Sequence, residues 1–103
     1  MNEEFKQIST SNGFMKHNGG ILFRTISETE YEFKTKINEN HLNNAKIVHG
    51  GFIAALTDAG VGTAAHRATG ENICVTISLE LKFISQVKLD QELIGLAKVQ
   101  KKT

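Results

Sequence analysis

Tyr31, Phe33, Thr35 and Ile37 alternate with Glu32, Lys34 and Lys36, a period of two that predicts a strand with one buried face. The stretch from Ile21 to Ile26 is also strand-like, and the short polar break Ser27-Glu28-Thr29-Glu30 predicts an antiparallel hairpin over residues 21–38. A stronger alternation follows later, with Ile73, Val75, Ile77, Leu79, Leu81 and Phe83 at every odd position. After a turn over Gln86 to Asp90, Leu93 to Val99 predicts one more strand, so residues 73–100 hold two. Between the strand pairs the pattern changes in kind. From Phe52 to Ala68 there are six alanines and two glycines in 17 residues. Phe52, Leu56, Ala59 and Thr63 recur at helical spacing, and the opposite side (Ala54, Ala55, Val61, Ala65) is also apolar or small. This predicts a helix over residues 50–69, ended by Gly70-Glu71-Asn72, and a helix apolar all round belongs in a core.

The N-terminal part is less regular. Residues 3–9 predict one or two turns of helix, and Ser11-Asn12-Gly13 and His17-Asn18-Gly19-Gly20 carry turn chemistry. Asn38 to Val48 is a polar loop with four asparagines and His41. Two strands, one buried helix and two strands make an α+β domain, a sheet wrapped around a single central helix.

Size and charge narrow the function. A chain of 103 residues makes one domain. Domains this small bury little more than ~60% of the surface their unfolded chains expose, so association with a second copy would help. Twelve basic and eleven acidic residues leave a net charge of +1, which argues against a nucleic-acid partner, since phosphate binding needs a concentrated basic face. The lone Cys74 excludes an intramolecular disulfide and a cysteine zinc cage, and reads as a structural thiol. No run approaches the ~20 apolar residues that span a bilayer, so no membrane partner is expected. Met1-Asn2-Glu3-Glu4-Phe5-Lys6 does not read as a secretory signal, and the expected location is cytoplasmic.

Asp58 is the residue that demands explanation. A carboxylate in the middle of a buried Ala/Gly-rich helix costs several kcal/mol unless paired, solvated or protonated, and no lysine or arginine stands three or four positions away. Either it bonds a loop backbone or points into water, or it faces a cavity as a general base or nucleophile. Nine residues earlier, His49-Gly50-Gly51 stands where the loop becomes the helix. The glycine pair is either a tight turn or a place where bare N–H groups, at the positive end of the helix dipole, meet a carbonyl oxygen that becomes negative.

Together these residues form a pattern. Asn43-x5-His49-Gly50-Gly51-x6-Asp58-x17-Thr76 resembles the hotdog-fold acyl-CoA thioesterases of the phenylacetate-degradation type, in the 4-hydroxybenzoyl-CoA thioesterase-like superfamily. The match is carried by His41-Leu42-Asn43, by Val48 to Ala59 and by Val75 to Ile84, and runs from about residue 14 to 100. The resemblance implies a strongly curved antiparallel sheet around the long helix. It also implies hydrolysis of an acyl-CoA to free acid and coenzyme A, with no cofactor and no metal, in a homodimer or homotetramer with active sites between subunits. Gly50 would give its N–H to the thioester carbonyl. Asp58 of the facing subunit would activate water or attack the carbonyl carbon, Thr76 would orient Asp58 or the water, and Asn43 and His49 would shape the carbonyl end and the loop. Gly51, Phe52, Leu56, Phe83 and Lys82 would meet the substrate, with Phe52, Leu56 and Phe83 lining an aromatic or medium aliphatic acyl pocket.

The sequence departs from the family pattern at Asn44, Lys46 and Gln86, where the family has proline or glycine. The family normally continues for one or two more strands, so the resemblance implies either a shortened member whose sheet edge a partner covers or a lost strand with an exposed edge beside Val99. That shortness keeps a second function in play, a catalytically silent acyl-CoA-binding or interaction module. An acyl-thioester hydratase or dehydratase ranks lower, since the motifs such enzymes resemble are absent. His17, His41 and His66 lack metal-ligand spacing, Gly60-Val61-Gly62 reads as helix packing, and Lys82, Lys88, Lys98, Lys101 and Lys102 fit solvated strand ends or coenzyme A phosphates equally well.

Overall fold

The computed structural model describes residues 3–70, 75–82 and 88–101. Five strands form one antiparallel sheet: β1 (Lys6–Ile8), β2 (Ile21–Thr25), β3 (Glu30–Lys36), β4 (Val75–Lys82) and β5 (Glu92–Lys101). Their order in the sheet is β1-β2-β3-β5-β4. A four-residue helix, α1 (Phe14–His17), precedes β2, and the long helix α2 (Gly50–Thr69) separates β3 from β4.

The β2–β3 hairpin follows the alternation that predicts it. Phe23 pairs with Phe33 and Thr25 with Tyr31, and Tyr31, Phe33, Thr35 and Ile37 are all buried. The Ser27 hydroxyl closes the hairpin by accepting from the amides of Thr29 and Glu30. Outward-facing Arg24 and Glu32 form an ion pair across the two strands.

Helix α2 spans the predicted residues and ends at Gly70, whose φ of 55° suits a glycine. Its inner side packs on β3, β4 and β5, with Phe52, Leu56 and Ala64 buried. The closest approach is at Gly60. A Cβ there would lie 2.4 Å from the Phe33 ring, and a Cβ at Gly95 on β5 would lie 2.3 Å from the same ring. Phe33 is thus held between helix and strand, each approaching at a glycine.

Three expectations are corrected. Residues 3–9 form no helix: Lys6–Ile8 is the edge strand β1, paired with β2, and the helical turn lies later, at Phe14–His17. A three-residue ladder shows too little alternation to announce itself in sequence. Helix α2 is not enclosed on all sides, since Ala54, Asp58 and Gly62 on its outer side are exposed. Small residues on every side conceal which side meets the sheet. The edge beside Val99 is absent, because β5 is inside the sheet and hydrogen-bonded to β3 on one side and β4 on the other. The edges are β1 and β4.

Candidate active site

The loop ahead of α2 is organised by its asparagines and one histidine. Asn38 caps a short 3-10 turn, Glu39–His41. The Asn43 side-chain oxygen accepts from the amides of Ala45 (2.8 Å) and Ile47 (3.4 Å), while the Asn43 amide donates to the Ile47 carbonyl at 2.8 Å. This tight turn takes Lys46 to a φ of 66°, a left-handed conformation uncommon for a residue with a side chain. A bridge between Leu42 and Val48 then draws the loop ends together and delivers the chain to His49.

His49 is the N-cap of α2. Its Nδ1 accepts from the Gly51 amide at 2.8 Å, a role usually filled by Ser, Thr, Asp or Asn. Gly51 accommodates the ring, since a Cβ there would sit 3.0 Å from His49 Nδ1. The amides of Phe52 and Ile53 turn back to the His49 carbonyl at 3.0 and 3.3 Å. Of the four N–H groups opening the helix, three are satisfied in this way. The Gly50 amide has no partner among the described residues. It is exposed, and a Cβ on Gly50 would meet nothing within 4 Å. An exposed donor with no partner among the described residues, at the positive end of a 20-residue helix, suits an oxygen that gains negative charge.

Asp58 lies on the same helix, exposed and without hydrogen-bond or ion-pair partner among the described residues. Within one protomer its charge stands in water, so the cost of a buried carboxylate is not incurred. Eight residues of helix put it ~12 Å along the axis from Gly50. Phe52 and Leu56 are 7% and 0% exposed, so their side chains fill the core and present little surface. Thr76 and Lys82 lie on β4, in register with Gln100 and Ile94. Phe83 and Cys74 fall outside the described residues. The structure therefore brings His49, Gly50 and Gly51 together, holds Asn43 in the loop leading to them, and sets Asp58 two turns away.

A family model described as the thioesterase superfamily matches residues 45–103, more than half of the sequence. The chain belongs to the thioesterase superfamily. A solved structure, that of mouse thioesterase superfamily member 2, is also similar: 13% identical over 79% of this chain and 80% of that one, with a TM-score of 0.45. No protein of curated function matches the sequence. The antiparallel sheet with α2 packed on it is the hotdog fold of the superfamily. The matched residues include His49-Gly50-Gly51, all of α2 with Asp58, and both later strands, and they begin just after Asn43. Superfamily membership supports thioester hydrolysis in general.

Sequence reading of this superfamily chain missed one residue near the site. His41 is 1% exposed, and both of its ring nitrogens are hydrogen-bonded. Amid the polar residues around it nothing signals burial, although the Asn38-x2-His41 spacing is that of a capping box. A groove of about 820 Å3 lies beside the same loop, lined by Asn43, Lys46, Lys88 and Leu89 among others. Among the described residues no group of three His, Cys, Asp or Glu side chains is placed to hold a metal ion, and no helix is long and apolar enough to cross a membrane.

Proposed function

We propose that the protein hydrolyses an acyl-CoA thioester to the free acid and coenzyme A. The observation that carries this reading is the amide of Gly50 at the head of α2, which has no partner among the described residues. In the proposed reaction that N–H binds the carbonyl oxygen as it becomes an oxyanion. Asp58 takes the proton from a water that adds to the carbonyl carbon, or adds to it directly, in which case the departing thiolate leaves a mixed anhydride on Asp58 that a water then hydrolyses to the free acid. The C–S bond then breaks, and the thiolate leaves with little assistance because it is a far better leaving group than an amine. A single oxyanion donor contributes ~3–4 kcal/mol and a placed base ~10²–10⁴ in rate, which together suit so reactive a substrate.

Helix geometry supports a shared site. The Gly50 N–H and the base must both reach one thioester carbonyl, whose carbon lies within ~3–3.5 Å of the attacking atom, whereas Asp58 is ~12 Å along the axis from Gly50 of its own chain. The carboxylate that serves one Gly50 therefore comes from a second copy, and the active species is at least a dimer. Lys46 and Lys88 line the neighbouring groove, where Glu39 also stands, and are the proposed partners of the coenzyme's phosphates. Asn43 holds the loop, and Thr76, Lys82, Gly51 and Phe83 remain the proposed surroundings of the acyl thioester, while Phe52 and Leu56 serve the core.

The test is thiol release from aryl-, phenylacetyl- and medium-chain acyl-CoAs, with Asp58→Asn beside the wild type. The variant should fold and lose turnover. In an equal mixture with Gly50→Pro, reassorted subunits should recover about a quarter of wild-type activity, since half the dimers are mixed and each holds one intact site. Unchanged turnover in Asp58→Asn removes the carboxylate from the mechanism, and a fully active monomer refutes the shared site.

A further inference from the structure

Behind the head of α2 three elements meet, and one side chain joins them. His41 Nδ1 accepts from the Asn38 amide at 3.0 Å, completing the capping box of the 3-10 turn. Its Nε2 bonds the carbonyl of Asn18, the residue that ends α1. An amide can only donate and a carbonyl can only accept, so the network assigns the neutral ring with its proton on Nε2. The ring lies on that of Phe52, with centroids 3.8 Å apart and planes 15° apart. Finally, the His41 carbonyl accepts from the His49 amide at 2.7 Å.

His49 and Phe52 bracket Gly50-Gly51, so His41 grips both flanks of the glycine pair, by its carbonyl on one side and its ring on the other. The pair needs such support. Neither glycine has a side chain to anchor it, both are exposed, and glycine is the residue least confined by its own backbone. A helix head of this composition frays unless its neighbours are fixed. We propose that His41 is the positioning residue of the oxyanion site, setting the direction of the Gly50 N–H while itself buried away from any substrate. This inference rests on the reading of Gly50 as oxyanion donor.

Two variants separate its contacts. His41→Gln keeps an acceptor for the Asn38 amide, glutamine being a usual capping-box residue, and removes the ring. His41→Phe keeps the ring stack and removes both polar bonds. Amide hydrogen exchange should rise at least ~10-fold at His49 and Phe52 in one or both variants, while Ala64, farther along α2, changes by less than ~twofold. In the acyl-CoA assay kcat should fall ~10- to 100-fold with KM nearly unchanged. Unaltered exchange at His49 and Phe52 overturns the proposal. So does a uniform rise that includes Ala64, which would mark a general stability role, or a local rise with kcat intact. If the wild type itself releases no thiol, the hydrolase reading falls, and the exchange pattern alone decides whether His41 holds the helix head.

Discussion

Replacing Gly50 with proline removes one hydrogen atom from the proposed chemistry and little else. Proline has no N–H, and its fixed φ suits the first position of a helix, where the amide is orphaned in any case. The backbone before it must be extended. His49 already has φ −71° and ψ 133°, within the region that precedes proline comfortably. Space is available too, since a Cβ on Gly50 meets nothing within 4 Å. No folding hydrogen bond is lost, because the Gly50 amide makes none with the described residues. Stiffening the unfolded chain at a compatible position adds ~0.4–1 kcal/mol of stability, or ~2–8 °C in melting temperature at 4–8 °C per kcal/mol. Catalysis should move the other way. Loss of one oxyanion donor costs ~10²–10³ in kcat. Gly50→Ala retains the donor and serves as control, with kcat within ~tenfold of wild type. Thermal unfolding and thiol release on the three proteins give both numbers. A proline variant that is as active as the alanine variant refutes the oxyanion role of Gly50, and one that melts well below wild type shows that the amide serves the fold instead.

The same helix offers a contrast between two glycines. Gly60→Ala forces a Cβ to 2.4 Å from a Phe33 ring that Gly95 prevents from retreating. An overpacking cost of ~3 kcal/mol outweighs the ~1 kcal/mol gained in helix propensity, so the melting temperature should fall. Gly62→Ala meets nothing within 4 Å and should gain the ~1 kcal/mol unopposed; the same sign for both in thermal unfolding would contradict the packing. At the other end of α2, the Arg67 guanidinium hydrogen-bonds Glu3, and the Thr25 amide adds a second bond, holding the Glu3 carboxyl below its ordinary 4.5. A lowered carboxyl value means that the link is present above the unfolded pKa and is lost as pH falls through the folded value. NMR titration should therefore find the Glu3 midpoint below 4.5 in the wild type and higher in Arg67→Gln; equal midpoints would exclude the link.

Much of the architecture is legible because burial leaves a periodic trace. The alternation at 31–37 becomes the buried face of β3, and the residues of α2 are those that the run from Gly50 to Thr69 predicts. What was hidden is what periodicity does not encode. β1 is three residues long with two of them exposed. The position of β5 between β3 and β4 is a matter of long-range pairing, which no local pattern records. Asp58 appeared buried because its neighbours are small, yet small residues also cover an exposed helix face, and the carboxylate lies on that side. At the helix head the sequence announced His49-Gly50-Gly51 but not that three of the four opening amides would be internally satisfied, since that depends on side-chain direction.

The central place of β5 governs the order in which the protein can be made. β3 pairs with it from Glu30↔Lys98 to Lys36↔Glu92, so the two halves of the chain are joined along that ladder. β4 has no other described partner. As the chain leaves the ribosome, the β2–β3 hairpin can form early, but β4 must wait for a strand not yet synthesised. Until Gly95 arrives, one side of the Phe33 ring has no strand against it. Pairings between distant segments form slowly and leave apolar strands uncovered meanwhile. Completion of the sheet thus waits for the last of the five described strands, and until then the apolar face of the β2–β3 hairpin has only part of its cover.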